Sequence, residues 1–132
     1  MRPVVTAVAL LSLVASSLAQ NPPPPPKRIP VSGLTLTDAE REMLAHGAAA
    51  LRQDIDTLAR ELAGEPRLLA LLPDVEIFHK AVDWALRYDE FMAPKEIAYA
   101  RTLIEKGAKR VAQLRARQAP WLDETGLVLR GH

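Results

Sequence analysis

Glu76 and His79 are the first groups to weigh for chemistry, because they stand in a Glu-x-x-His spacing. On a helix this spacing puts a carboxylate and an imidazole on one face, as in di-metal carboxylate bundles. Such a site normally needs a second copy and further carboxylates from facing helices. On a helical wheel Glu76 and His79 fall on the polar strip, where Glu76/Lys80, His79/Asp83 and Asp83/Arg87 form ordinary i,i+4 partners. His46, beside Gly47, offers still less. Nucleophilic chemistry is limited by inventory: the chain has no cysteine, so a thiol nucleophile, a disulfide and a thiolate metal site are excluded. Beyond the first 19 residues the one serine is Ser32, in Val31-Ser32-Gly33, which lacks the G-x-S-x-G elbow that exposes a nucleophile. The threonines at 35, 37, 57, 102 and 125 have no partnered base at a recognisable spacing. No catalytic, cofactor-binding or metal residue is therefore expected in this chain.

The remaining candidates are contact residues. Asp89 falls inside an apolar arc, so its charge is expected to be partly buried and to find a donor. Two readings stand side by side: a helix-end cap accepting from amides near Ala93 to Glu96, or a contact to a partner. Trp84 and Tyr88, one turn apart, are expected to be core rather than a ligand-stacking pair. With Phe91 they make up the surface at which a partner contact is placed.

These residues belong to Leu72 to Phe91, whose apolar members (Val75, Ile77, Phe78, Ala81, Val82, Trp84, Ala85, Leu86, Tyr88, Phe91) cover roughly 220° of a helical wheel. A one-faced surface helix needs little more than about 100°. This segment is therefore expected to lie sandwiched between two neighbours. The helix before it opens on Thr37-Asp38-Ala39-Glu40, a capping box. Leu44, Ala48, Leu51, Ile55, Leu58 and Leu62 continue it at alternating spacings of four and three, the seam of a helix packed along another. Gly64 and Pro66 stop it. Arg52, Asp56 and Arg60 form a solvated ladder on its far side. A short helical piece, Arg67 to Leu72, supplies Leu68, Leu69, Leu71 and Leu72 as a plug, and Pro73 starts the central helix. Pro94 marks a third helix to about Gln118, with Ile97, Ala100, Ile104, Ala108, Val111 and Leu114 or Arg115 on its stripe. Its last turns gather Lys106, Lys109, Arg110, Arg115 and Arg117, which complement the helix dipole. Gly126 to Gly131 is expected to be a β-strand.

The ends of the chain set its address. Met1 to Ala19 has the form of a secretory signal: Arg2, an apolar run from Val4 to Val14, and Ser17-Leu18-Ala19 before Gln20. That run is too short to span a bilayer of about 30 Å hydrocarbon, so an exported, periplasmic or secreted protein without a stable membrane anchor is expected. Residues 20–36 make a proline-rich linker, with Pro22 to Pro26 as a semi-rigid spacer. The 132-residue chain carries 17 Lys+Arg and 16 Asp+Glu, and removal of Arg2 balances them. A balanced charge argues against nucleic-acid binding. The expected fold is all-α, an antiparallel three-helix arrangement over residues 37–118 with a short extra helix. A loop and strand stub occupy 119–132. A lone strand has nothing to pair with, which points to the front part of a longer protein.

Leu71 to Val82, Trp84 to Phe91, Ala119-Pro120-Trp121 and Thr125 to Gly131 resemble the helical N-terminal region of secreted bacterial prolyl-oligopeptidase-like α/β-hydrolases, which are serine peptidases and esterases. The resemblance covers roughly Leu36 to Gly131. It implies that a strand-rich connection and a catalytic α/β-hydrolase domain with a Ser-His-Asp triad come next in cis, as the partner of these helices. None of the catalytic motifs is in this chain, so no catalytic residue is carried over. The alternatives are a stand-alone periplasmic interaction or adaptor module and, last, a metal-binding bundle.

Overall fold

The computed structural model describes residues 33–131. The segment expected to be a secretory signal and most of the expected proline-rich linker lie outside the described residues. Three long helices, α1 (Asp38–Glu61), α3 (Pro73–Arg87) and α4 (Pro94–Arg115), pack on one another. A single turn, α2 (Pro66–Leu69), links the first two, and a 3-10 turn at Pro120–Leu122 comes after α4.

The start of α1 is built as its capping box dictates. Thr37 Oγ1 accepts from the Glu40 amide at 3.2 Å, and Glu40 Oε2 accepts from the Thr37 amide at 2.9 Å and from its hydroxyl at 2.7 Å. The Thr37 hydroxyl, then its amide, hold the Glu40 carboxyl below its ordinary value. All six seam residues, Leu44, Ala48, Leu51, Ile55, Leu58 and Leu62, are buried. The packed unit begins earlier than Thr37, inside the segment expected to be linker. Leu36 is buried, and the Leu34 amide donates to the Phe91 carbonyl at 2.5 Å.

The ion pairs at the ends show which helix ends lie together. Arg41, near the start of α1, pairs with Asp89 beyond the end of α3, whereas Glu61 and Arg115, at the ends of α1 and α4, meet at 2.8 Å. The bundle therefore runs up, down, up, with α3 antiparallel to both neighbours. Four leucines around α2 close its base: Leu68, Leu69, Leu71 and Leu72 pack, partly buried, against Leu51, Ile55, Leu58 and Leu62 of α1 and its end. A second cluster at the other end holds Leu36, Leu44, Ala48, Val82, Phe91 and Ala100.

The central segment is not sandwiched. Because α1 and α4 also touch each other directly, the three helices form a triangle and each keeps an outer face. α3 buries Asp74, Val75, Phe78 and Val82, one side only. Its apolar arc is wider than a triangle can cover, so Trp84 remains 49% exposed and Tyr88 60%. The stripe of α4 also shifts: Ala108 is exposed, and Gly107 is buried in its place. A Cβ on Gly107 would meet Leu51 Cδ2 at 2.6 Å and the Phe78 Cβ at 3.1 Å. This glycine allows α4 its close approach to the other two helices. Gly107→Val is expected to cost about 1–3 kcal/mol by overpacking, read as a lower urea midpoint with an unchanged m-value.

No β-ladder forms among the described residues, and Gly126 to Gly131 runs as irregular chain. A strand without a second strand leaves its amides and carbonyls unpaired, so nothing here builds a sheet from it.

Candidate functional site

The one buried charged side chain among the described residues is Asp74, 2% exposed. It is the second residue of α3, after Pro73. Leu72 is already helical, and the Asp74 amide is satisfied by the Leu71 carbonyl at 3.0 Å. Its carboxylate is thus free to turn away from its own helix and hold the C-terminal segment. Oδ2 accepts from Trp121 Nε1 at 2.9 Å and pairs with Arg130 Nε at 2.8 Å; Oδ1 accepts from the Gly131 amide at 2.7 Å. Burial, the largest single influence, raises this carboxyl, but the bonds from Trp121, Gly131 and Arg130 together hold it below its ordinary value.

Arg110 of α4 completes the node. Its guanidinium stacks on the rings of Phe78 at 4.9 Å and Trp121 at 4.7 Å. From there Nη1 donates to the Asp74 carbonyl and to the Leu129 carbonyl, each at 2.8 Å. Burial lowers the Arg110 value from its ordinary one. A chain turn brings Trp121 into reach: α4 ends with Arg117 in the left-handed region at φ 61°, and the Gln118 amide returns to the Gln113 carbonyl at 2.9 Å. Pro120 then opens the 3-10 turn that seats Trp121. Gly131 lies so close to α3 that a Cβ would stand 1.8 Å from the Pro73 carbonyl oxygen.

The contact residues expected from sequence separate. Phe91 is core, in the cluster with Leu36 and Val82. Trp84 and Tyr88 are not core: their rings meet edge to face at 6.3 Å on the outer side of α3, with Lys80 Nζ 4.6 Å from the centre of the Trp84 ring. Asp89 is also outside, its side chain 63% exposed. The wheel misplaced it because the helix ends at Arg87. Asp89 takes φ 53°, and the Glu90 amide bonds back to the Ala85 carbonyl at 3.0 Å, a left-handed helix stop that swings the carboxylate out to Arg41. The cap on the Met92 and Ala93 amides is Glu96, at 2.6 and 3.4 Å.

Glu76 and His79 face α1 rather than a metal-binding interior. Glu76 lies 3.5 Å from Arg52, and no three His, Asp or Glu side chains converge among the described residues. Burial lowers the His79 value, more than Asp83 raises it. Its neutral form is favoured in the folded state, so stability is full above the unfolded histidine value of about 6.5 and falls as acid moves the pH below it. His79→Gln is expected to remove that component from melts taken between pH 7.5 and 5.

Asp74 was legible in part. It stands four residues before Phe78 and eight before Val82, in line with the buried side of α3, a position where a carboxylate must have donors. Comparison with protein families, with curated proteins and with solved structures finds no match to this chain. No helix among the described residues is long and apolar enough to cross a membrane.

Proposed function

We propose that this chain is the non-catalytic, N-terminal helical region of an exported prolyl-oligopeptidase-like α/β-hydrolase, and that it holds the segment leading to the catalytic domain. The observation that carries this reading is the Asp74 node. Residues from two stretches that bear the resemblance, Leu71 to Val82 and Ala119 to Gly131, meet in it through bonds of 2.7 to 2.9 Å. A buried carboxylate that spends its acceptors on Trp121, Arg130 and Gly131 serves to fix the course of the chain beyond α4. In this reading the segment from Gly126 becomes the first strand of the connection once the strands that pair with it are present, and these cover Leu127 and Leu129, both exposed here.

The coding frame beyond His132 tests this directly. A continuing frame that contains a G-x-S-x-G elbow, with a product labelled by a fluorophosphonate probe, is the expected result; a stop codon directly after His132 contradicts it. The second reading is a stand-alone periplasmic interaction module. The exposed Trp84 and Tyr88 rings favour it, since an aromatic pair on a helix face is typical of an interface anchor.

A further inference from the structure

Ala81, Trp84 and Tyr88, at spacings of three and four, stand in one line on the outer side of α3, and all three are exposed. Tyr88 meets Trp84 edge to face and Lys80 Nζ stands over the indole, yet both rings stay open to solvent. Aromatic rings set on a rigid element are the surface that polyproline segments recognise.

The chain itself delivers such a segment to this place. The five prolines at 22–26 lie outside the described residues, and the six residues 27–32 join them to Gly33. Gly33 packs against the backbone of Asp89 with no room for a Cβ beside its carbonyl, and the Leu34 amide donates to the Phe91 carbonyl at 2.5 Å. The N-terminal segment therefore leaves the helical body one residue from Tyr88. Trp84 and Tyr88 both lie within two helical turns, about 11 Å, of that point, whereas six extended residues reach about 20 Å. Beside the exit stands Glu90, exposed and in none of the ion pairs among the described residues. It offers a partner to Lys27 or Arg28, which follow the prolines.

We infer that the proline segment of this chain, residues 22–26, docks along the outer side of α3 and packs its rings on Trp84 and Tyr88. A polyproline II rod of five residues is about 16 Å long, enough to cover two rings whose centres are 6.3 Å apart. Its shape is set before contact, so little chain entropy is lost on docking. The tether adds the rest: a short link holds the segment at an effective concentration on the order of 1 mM, so a contact of that modest affinity is populated in cis. Lys27 and Arg28 come beside Glu90 in this arrangement. The inference stands under either reading of the function; in the module reading, a partner at these rings displaces the segment.

The chain has no cysteine, so a nitroxide attached at Asn21→Cys reports by NMR where the prolines lie. In the full chain the label is expected to remove most of the amide signal of Ala81 and Ala85, and little of that of Glu42 near the start of α1. Replacing all five prolines by serine keeps the tether length and is expected to restore Ala81 and Ala85. Trp84→Ser/Tyr88→Ser is expected to restore them too; it changes exposed side chains only, so the helices stay folded. The inference is overturned if Ala81 keeps its signal, if Glu42 loses as much, or if the loss at Ala81 survives either set of substitutions. Loss at Ala81 caused by the label on a second, mixed-in copy also overturns it, by assigning this face to a dimer.

Discussion

Asp74→Ala lowers the stability of the domain by about 3 kcal/mol, the largest effect expected of any single polar substitution here. The change strands the Trp121 indole N–H and the Gly131 amide and leaves Arg130 without its partner. In a domain of about 100 residues this corresponds to a fall in melting temperature on the order of 15 °C. Trp121 fluorescence is expected to shift to the red even in the folded variant, because the ring loses the bond that seats it. Asp74→Asn falls in between, since its amide nitrogen faces a donor wherever it is placed. The acid limb is specific. The folded Asp74 carboxyl lies below its ordinary value, so its contribution is complete above the unfolded value of about 3.9 and is lost as the pH falls through the folded one. The parent and Asp74→Asn should therefore converge in stability below about pH 4 and diverge to a constant gap above it.

Phe78→Ala is the second large effect, about 3–5 kcal/mol. Phe78 is buried in one cluster with Leu51 of α1, its Cβ beside Gly107 of α4, and it also carries the face on which Arg110 stacks. Its loss opens a cavity in the core and loosens the arginine that holds Leu129. Chemical denaturation should show the loss in the midpoint, and the tail should open with it. Phe78→Leu keeps most of the volume but not the ring, so it separates the two roles: a smaller loss of stability, with Leu129 still released.

Periodicity made α1 readable almost to the residue, because the capping box and the four-three seam both depend on neighbours along one helix. The starts of α3 and α4 are readable from Pro73 and Pro94, but their ends, Arg87 and Arg115, fall short of where the apolar pattern carries them. What the pattern leaves open is how wide an apolar arc the neighbours cover. The arc of α3 suggested a helix between two others, and in the triangle Trp84 and Tyr88 stay outside. A helical wheel carried on to Asp89 puts it inside the arc, whereas Asp89 itself forms the left-handed stop that turns its carboxylate outward. The partners of Asp74, which are Trp121, Arg130 and Gly131, lie 47 or more positions away in the chain. No local pattern specifies such a pairing, although a carboxylate in line with Phe78 and Val82 announces that one must exist.

Hydrogen exchange at single amides tests whether the C-terminal segment is held by the helical body. The Gly131 amide, bonded to Asp74 Oδ1 at 2.7 Å, should be protected to within about tenfold of the α3 core amides, while the Leu127 amide exchanges at the rate of free chain. In Asp74→Asn the Gly131 protection should collapse and that of the α1 seam should persist. Gly131 exchanging as fast as Leu127 in the parent protein would contradict the node and the role built on it.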